Sequence, residues 1–416
     1  GCLGYSPYIA IKNNKRFQYN PLGFVWTWFY DIFNRKNKEA VFWFKNTMGQ
    51  YWAIDKWAKD LSPLNEAGKD ICFVTTVDEL QKYSKFDMEE LYQKGVVNEE
   101  NFHLFEKEKI NAILPRSFSF EKRMEYALNG KWAAFSLQEF ENNFLTPPTR
   151  GTITTPKVLI DIANGHMQKL YDLVRQSKKN WDNIIIMIGN IANPLTYKEV
   201  VDCGADYVRL SVGAGMGCIT SSNTSIHYPL ASLIQETYLI KKEISETNGV
   251  SMDSLPKIIA DGGVRNYSDV IKALALGADY VMIGGVFSAL IESAAKMYFE
   301  DKEVLPLSRH KVIEHNGMFT ITDKETNKLY SANELKKRFY GMASKQGQID
   351  MFGKKQKTAE GIVRYISVTT NLNKWVENMI AYLQSAMSYT NIFRVSDFDT
   401  VTTVVISTNT YVSVNK

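Results

Sequence analysis

The sequence predicts an α/β fold in which parallel strands alternate with helices and close into a (β/α)8 barrel. Short apolar, β-rich runs recur from about residue 110, each is followed by a turn or glycine signal and a helix-like stretch, and most begin 23 to 26 residues apart. That interval is close to the length of one strand, one helix and two loops. Alternating βα units form parallel sheets, and seven clear runs favour a closed barrel over an open sheet.

The predicted strands are nearly continuous in apolar residues, as expected of strands buried on both faces of a parallel sheet. An eighth strand has to lie upstream, and Ile71–Thr75 is the best candidate. One doubled interval leaves room for a long loop after Val212 and a helix near Pro229–Glu246. No GxGxxG motif follows a strand, which argues against a doubly wound dinucleotide-binding fold. The seven clear strands are Ile110–Leu114, Ala133–Phe135, Val158–Asp161, Ile184–Ile188, Tyr207–Val212, Lys257–Ala260 and Tyr280–Ile283.

The chain changes character after the last predicted strand. Residues 287–300 look helical, whereas residues 301–358 are polar, charged and poor in apolar periodicity, as in an insertion that could be mobile and cover a site. Trp375–Met387 has the pattern of an amphipathic helix. The tail 396–416 is rich in Val, Thr and Ser, which favours a β-strand.

The N-terminal part of the chain differs in composition from the rest. Residues 1–60 hold nine Lys or Arg against four acids, and five of the eight tryptophans. Basic and aromatic residues together could suit single-stranded nucleic acid, but we prefer a packed, aromatic-rich extension. We therefore predict an unassigned segment 1–95, which could hold the first barrel strand, and a barrel domain 96–416 with a mobile insertion 301–358.

Overall composition excludes several classes of protein. Of the 416 residues, 45% are hydrophobic and 23% charged, and no run approaches the roughly 18 apolar residues of a membrane span. No secretory leader is visible, so we expect a cytoplasmic protein without a membrane partner. A net charge of +4 is too small to indicate a nucleic-acid partner. The four cysteines form no CxxC pair and have no zinc-like spacing to His.

Residues at the carboxyl ends of barrel strands are the natural candidates for chemistry. Cys218 ends a glycine-rich loop after the run that starts at Tyr207, where unshielded backbone amides can lower the pKa of a thiol. A thiolate at this position would be a competent nucleophile. A small buried cysteine without a chemical role is the alternative.

Glycine pairs and carboxylates follow other strands. Gly262-Gly263 and Gly284-Gly285 come after the last two strands, where barrels commonly bind a phosphate through main-chain N–H groups. Tight turns are the alternative for these glycines. Asp161 and Asp261 each end a strand, and they could accept hydrogen bonds from ribose or base groups or cap the next helix.

Seven motifs resemble the IMP dehydrogenase and GMP reductase family, in the family's order and over roughly residues 97–395. Several motifs that agree in order are far more specific than any one of them. The motifs are LIDIANGH at 159–166, GNIANP at 189–194, GAGMGCITSSNTSIHYP at 213–229, IADGG at 259–263, GADYVMIGG at 277–285, YGMAS at 340–344 and AEG at 359–361.

The resemblance implies the barrel already predicted and a thioimidate between the loop cysteine and purine C2, with Cys218 at the cysteine position. Thr220 and Glu360 match the pair that relays a proton to departing ammonia in the reductases. Asp261 would bind the ribose hydroxyls, and Met342 would lie against the base. The remaining substrate-binding residues, several of them for the phosphate, would be Gly262, Gly263, Gly284, Gly285, Tyr340, Gly341 and Ser344.

The resemblance also implies a cofactor and partners. NADPH is the expected cofactor, with NAD as the alternative, the substrate would be a purine nucleoside monophosphate, and the family's homotetramer is expected. A monovalent cation such as K⁺ could bind at Gly213, Gly215 and Cys218. The nicotinamide side of the cofactor site would be lined by Asp161, Ala163, Asn164 and Gly165.

The reductase reaction fits the sequence better than the dehydrogenase reaction. The dehydrogenases carry an Arg-Tyr pair in a mobile flap, but no Arg lies between Ser344 and Glu360. About 20 residues separate the runs between which dehydrogenases usually carry regulatory modules, and the Ala-Asn-Gly after Asp161 is reductase-like. We therefore expect NADPH-dependent reductive deamination of GMP to IMP and ammonia. NAD-dependent oxidation of IMP to XMP and a catalytically silent nucleotide-binding protein are the alternatives.

The cysteine loop departs from the family's GPGSxCTTR pattern. Ala214, Met216, Ile219 and Ser221 replace its Pro, Ser, first Thr and Arg. Loss of the Ser hydroxyl removes one expected donor to the nucleotide phosphate.

Overall fold

The computed structural model describes two compact units. One comprises residues 87–273 and 277–377, and the other comprises residues 1–86, 274–276 and 378–416. The residues that it describes are 97–98, 100–147, 154–300, 302–304, 310–315, 318–341, 344–352, 358 and 361–403, with the short segments 9–11, 43–45, 51–53 and 91–93.

Eight parallel strands of the first unit form a closed barrel, which confirms the predicted (β/α)8 fold and its seven clear strands. Each strand pairs with the next, and Val281 lies opposite Leu91, which closes the ring. The strands are β1 (Leu91–Gln93), β2 (Asn111–Leu114), β3 (Trp132–Phe135), β4 (Lys157–Asp161), β5 (Ile185–Ile191), β6 (Tyr207–Leu210), β7 (Lys257–Asp261) and β8 (Tyr280–Ile283).

The prediction for the eighth strand is wrong. The ring closes through β1, and Ile71–Thr75 lies outside the described residues. Strand β1 is three residues long, and it pairs with β2 through Tyr92 and Gln93. Because charged residues precede and follow so short a strand, it leaves no apolar run in the sequence.

Large aromatic side chains fill the amino-terminal end of the barrel. Trp132, Tyr207 and Tyr280 are the first residues of β3, β6 and β8, and their rings contact one another in series at centroid distances of 5.4 and 5.7 Å. These rings close the amino-terminal end of the barrel, so the site residues predicted from the sequence lie at the other end, where the strands end. Buried apolar side chains from further strands complete the interior: Ile113, Leu159, Met187, Ile259 and Met282.

Helices connect the barrel strands and follow the last of them. The helix predicted near residues 229–246 is confirmed over Leu230–Asn248, and the amphipathic helix predicted at 375–387 is confirmed over Leu372–Thr390. Among the helices that the structure describes, none has the length and hydropathy to cross a bilayer. The helices are α1 (Phe102–Lys107), α2 (Phe120–Leu128), α3 (Leu137–Asn143), α4 (Gln168–Asn180), α5 (Tyr197–Cys203), α6 (Thr220–Thr224), α7 (Leu230–Asn248), α8 (Tyr267–Ala275), α9 (Gly285–Ser288), α10 (Lys345–Phe352) and α11 (Leu372–Thr390).

A buried ion pair joins α2 to α3 on the outside of the barrel. Arg123 is 4% exposed, and its guanidinium lies 2.7 Å from Glu139 and also donates to the carbonyl oxygen of Ala134. Glu139 completes a capping box with Ser136 at the start of α3. Burial alone would raise the pKa of Glu139, but hydrogen bonds from Arg123 and from the Ser136 amide lower this pKa to about 2.

The segment after β8 forms two antiparallel sheets. Their strands are β9 (Met297–Phe299), β10 (Lys302–Val304), β11 (His310–His315), β12 (Met318–Asp323), β13 (Leu329–Ser331), β14 (Lys336–Tyr340) and β15 (Val363–Ser367). One sheet has the strand order β10-β9-β14-β15, and the other has the order β11-β12-β13.

These sheets correct one prediction. The helix predicted over residues 287–300 is wrong, because α9 ends at Ser288 and Met297 begins a strand. Most of the described residues of the segment 301–358, whose sequence lacks apolar periodicity, lie in strands and helix α10. Met297, Phe319 and Ile321 are buried in a shared apolar core, so tertiary packing determines the local structure. The mobility of this insertion stays a prediction.

The second unit contains two short antiparallel pairings. Ile9–Ile11 pairs with Val401–Thr403, and Trp43–Lys45 pairs with Tyr51–Ala53. The predicted C-terminal strand is thus described over Val401–Thr403, after a 3-10 turn at Val395–Thr400.

Candidate active site

A buried arginine organises the carboxyl end of the barrel. Arg209 on β6 is 2% exposed, and its guanidinium lies 2.7 Å from Asp161 at the end of β4 and 3.3 Å from Asp261 at the end of β7. It also donates to the carbonyl oxygen of Gly189 at 3.1 Å. The amide of Asn190 donates to the same Asp261 carboxylate at 2.8 Å. The two strand-end carboxylates are therefore held in place by hydrogen bonds from Arg209 and Asn190, and a carboxylate has further lone pairs that can accept hydrogen bonds.

Sequence reasoning missed Arg209, although a signal was present. The run YVRLSV at 207–212 places one charged residue inside an otherwise apolar buried strand. A charge is retained in such a position only when it is paired. The signal indicates that Arg209 is paired, but which carboxylates pair with it depends on how the fold brings the strand ends together.

The predicted nucleophile lies on a tightly folded loop after β6. The Cys218 thiol is half-buried and lies 3.3 Å from the hydroxyl of Thr220, the first residue of α6. Its amide donates to the carbonyl oxygen of Gly215 at 2.9 Å. Gly213 has φ +79, and a Cβ there would lie 1.7 Å from the Ser221 hydroxyl oxygen, so only glycine fits this position. The loop thus brings the thiol and the Thr220 hydroxyl together.

The segments around Gly341 and Gly361 pack against this loop. Cys218 forms an antiparallel bridge with Gly361, which in turn bridges Ser344. The carbonyl oxygen of Gly217 accepts a hydrogen bond from Ile362, and it leaves no room for a Cβ at Gly341. The insertion, through Gly341, and the segment that follows it, through Gly361, therefore contact the cysteine loop by glycine backbone. Two predicted site residues in these segments, Met342 and Glu360, lie outside the described residues.

A cavity of about 500 Å³ opens beside this loop. The residues that line it do not include Cys218, but the loop adjoins it through the contact of Gly217 with Gly341. Four predicted substrate residues, from the ends of β7 and β8 and from the end of β14, meet in this cavity: Asp261, Gly284, Tyr340 and Gly341. Arg209 and Arg338, which the sequence did not single out, line it as well.

The glycine turns after β7 and β8 have their own contacts. Gly262 and Gly263 have φ values of +92 and +72, and the amide of Gly263 donates to the carbonyl oxygen of Ala214 at 2.9 Å. A Cβ at Gly285 would lie 2.9 Å from the Cβ of Met216, so a side chain there would require Met216 to move. The thioether of Met216 covers this turn.

Ser344 has a structural contact as well. It is 1% exposed, and its hydroxyl accepts a hydrogen bond from the amide of Gly347 in the first turn of α10. The described contact of this hydroxyl therefore caps a helix.

The residues predicted for the cofactor follow Asp161 in the loop after β4. Ala163 and Asn164 are exposed at the barrel mouth. Gly165 is buried, and a Cβ on it would lie 2.7 Å from the carbonyl oxygen of Asn190. The imidazole of His166 accepts the Ala192 amide and contacts the Thr196 hydroxyl, and burial lowers its pKa. An exposed amide beside a fixed carboxylate supplies the donor and acceptors that a nicotinamide carboxamide binds.

A second described cysteine, Cys203, is buried, whereas Cys218 is half-buried. Cys203 ends α5 and is 2% exposed, and its thiol donates to the carbonyl oxygen of Val200 at 3.2 Å. Burial raises the pKa of this thiol to about 11. Cys203 is therefore a packing residue without thiolate character at neutral pH.

Comparison with known proteins connects this geometry to a family. Residues 154–414 match the family model described as the IMP dehydrogenase / GMP reductase domain. A GMP reductase of Staphylococcus epidermidis is 29% identical over 241 residues, which cover 54% of this chain and 70% of that protein. A GMP reductase of Caenorhabditis elegans is 26% identical over 235 residues, or 56% of this chain and 54% of that protein.

A dehydrogenase matches to a similar degree. An inosine-5'-monophosphate dehydrogenase of Chlorobaculum parvum is 27% identical over 240 residues, which cover 58% of this chain and 43% of that protein. The chain thus spans about half the length, or less, of some of these relatives. The family match itself extends over more than half of the chain and includes the loop of Cys218, both aspartates and Arg209. The chain therefore belongs to the IMP dehydrogenase/GMP reductase family of oxidoreductases.

Proposed function

We propose that this protein catalyses the NADPH-dependent reductive deamination of GMP to IMP and ammonia, with Cys218 as the covalent nucleophile. The observation that carries the proposal is the contact of the Cys218 thiol with Thr220 on a loop bridged by Gly361. Glu360, which precedes Gly361 in the chain, is the acid that the family resemblance pairs with Thr220. A hydroxyl and a carboxyl that act together can pass a proton to a leaving group while a thiolate attacks.

The chain's own residues account for bond formation and bond breaking at C2. The Cys218 thiolate adds to C2 of the purine, Glu360 protonates the exocyclic amine through Thr220, and ammonia leaves to give a thioimidate. NADPH, when bound, supplies the hydride that C2 receives. The bond between C2 and sulfur then breaks, which returns the electron pair to the thiolate and releases IMP.

The cofactor would be held on the Asp161 side of the mouth. Asp161, fixed by Arg209, and the exposed residues Ala163 and Asn164 offer acceptors and a donor to the carboxamide. Gly165 keeps this segment close to Asn190, because no side chain fits there.

A monovalent cation at the cysteine loop is part of the same proposal. Carbonyl oxygens of Gly213, Gly215 and Cys218 would be its ligands. The Gly215 oxygen already accepts the Cys218 amide, so a cation would use its second lone pair. Replacement of K⁺ by Na⁺ in the assay tests this point, since a bound cation would order the loop that presents the thiol.

Oxidation of IMP to XMP with NAD is the second candidate, favoured by the comparable match to a dehydrogenase. A spectrophotometric assay of four mixtures separates the candidates: GMP with NADPH, GMP with NADH, IMP with NAD, and IMP with NADP. The proposal expects loss of reduced cofactor with GMP and NADPH. Formation of reduced cofactor from IMP would replace the reductase by the dehydrogenase. Binding of GMP without any absorbance change would favour a catalytically silent protein.

A further inference from the structure

One of the main-chain amides expected to bind the nucleotide phosphate is already occupied, and the cysteine loop supplies no hydroxyl beside it. The Gly263 amide already donates to Ala214, and the Met216 thioether lies against Gly285. Neither Met216 nor Gly285 has a side-chain hydroxyl or charge. A phosphate dianion in this part of the site needs stronger donors from elsewhere, because it has to be desolvated to enter.

The cavity has a cationic wall opposite these turns. Arg338 on β14 and Lys296 before β9 both line it, and the main-chain amide of Arg338 donates to the carbonyl oxygen of Lys296 at 2.9 Å. Lys296 contacts one carboxylate, Glu303, at 3.0 Å, and both of these side chains are about half exposed. The cavity wall therefore carries two positive charges side by side.

Arg338 is held in position but lacks an anionic partner. Its guanidinium carbon lies 5.8 Å from the ring centroid of Tyr298 and 5.7 Å from that of Tyr340. Within the part of the chain that the structure describes, Arg338 forms no ion pair. The two rings hold the guanidinium in place, and its buried Nε–H has no hydrogen-bond partner. The group is therefore preorganised to bind an anion.

We infer that Arg338, with Lys296 beside it, binds the 5'-phosphate of the purine nucleotide in place of the hydroxyl donor that the cysteine loop lacks. Asp261, Gly284 and Arg338 line one cavity, so a ribose bound at Asp261 can extend its phosphate toward Arg338. A planar guanidinium can donate two parallel hydrogen bonds to phosphate oxygens. This inference rests on the proposed nucleotide substrate, but it holds for GMP and IMP alike.

The test is calorimetric titration of the whole chain with GMP, IMP, guanosine, NADPH and NADH, each added alone so that no turnover occurs. Charge-assisted hydrogen bonds contribute enough that Arg338→Leu should weaken GMP and IMP binding by about 10- to 100-fold. Guanosine binding should change by less than about twofold. Arg338→Lys keeps the positive charge but not the planar pair of donors, so it should bind GMP more weakly than the parent protein and more tightly than Arg338→Leu. Arg175→Leu is the matched control, because Arg175 pairs with Asp172 on the exposed face of α4.

Several outcomes would overturn the inference. Equal loss of GMP and guanosine binding in Arg338→Leu would mean that the arginine only supports the sheet. Undiminished GMP binding in a folded Arg338→Leu or Arg338→Lys protein would remove it from the phosphate site. Weaker binding of NADPH by Arg338→Leu, with unchanged binding of NADH and GMP, would assign Arg338 to the cofactor's 2'-phosphate instead.

Two outcomes separate this inference from the proposed function. Lack of GMP and IMP binding by the parent protein would contradict both this inference and the proposed substrate. If the binding pattern holds while GMP is not reduced, the inference stands and the proposed reaction fails.

Discussion

Removal of the Arg209 charge is the most informative perturbation of the barrel mouth. Arg209→Met keeps the length of the side chain but leaves Asp161 and Asp261, with side chains 13% and 24% exposed, without their shared cation. Breaking a buried ion pair by removal of one partner costs about 3–5 kcal/mol of unfolding free energy. We expect a loss in that range by chemical denaturation followed by circular dichroism.

A double variant distinguishes a lost ion pair from lost packing. In Arg209→Met/Asp161→Asn, one of the two carboxylates that have lost their cation becomes a neutral amide. The double variant should therefore lose about 1–3 kcal/mol less unfolding free energy than the two single variants lose together. Arg175→Met is the matched control and should change stability by less than about 0.5 kcal/mol. A loss below about 1 kcal/mol for Arg209→Met, or additivity within about 0.5 kcal/mol, would refute the account of the cluster.

Three further predictions concern the proton relay, the outer ion pair and the N-terminal segment. Glu360→Gln should slow deamination by about 10²–10⁴-fold while GMP still binds, because an amine leaves badly unless protonated; unchanged turnover would remove Glu360 from the mechanism. Because Glu139 has a pKa of about 2 in the folded protein and an ordinary value of 4.5, its stabilising contribution is present above pH 4.5 and is lost as the pH falls toward 2. Glu139→Gln should therefore lower the melting temperature at pH 7, by a margin that shrinks as the pH falls below 4.5, and a margin independent of pH would contradict this assignment. A truncation that starts at Leu61 should keep turnover if it folds, although it removes the Ile9–Ile11 strand that pairs with Val401–Thr403; a folded but inactive truncation would mean that the segment supplies structure or residues to the site.

The sequence predicts the repetitive part of the fold well. Seven barrel strands are longer apolar runs at regular spacing, whereas Leu91–Gln93 is too short and too closely flanked by charges to stand out. The sheets after β8 were missed because their core uses a few alternating positions, such as Phe319 and Ile321, in a polar sequence. Such strands are fixed by contacts between distant residues, which periodicity within one run does not report.

Residue type and position near strand ends singled out Cys218, Asp161 and Asp261 as candidates, and the family resemblance added Thr220. Neither signal found Arg209 or Arg338, because the role of each depends on partners brought together by the fold. Arg209 lies between two carboxylates from other strands, and Arg338 lies between Tyr298 and Tyr340. A single sequence gives the residues of such clusters but not their proximity.

The central claim is the covalent role of Cys218, and turnover by Cys218→Ala tests it most directly. The variant should bind GMP with a dissociation constant close to that of the parent protein, because Asp261 and the glycine turns are unchanged, and it should show no detectable turnover. Cys203→Ala is the matched control and should stay active, since the Cys203 thiol is buried and its pKa is raised to about 11. Turnover by Cys218→Ala at the parent rate would contradict the covalent mechanism and the reaction proposed from it.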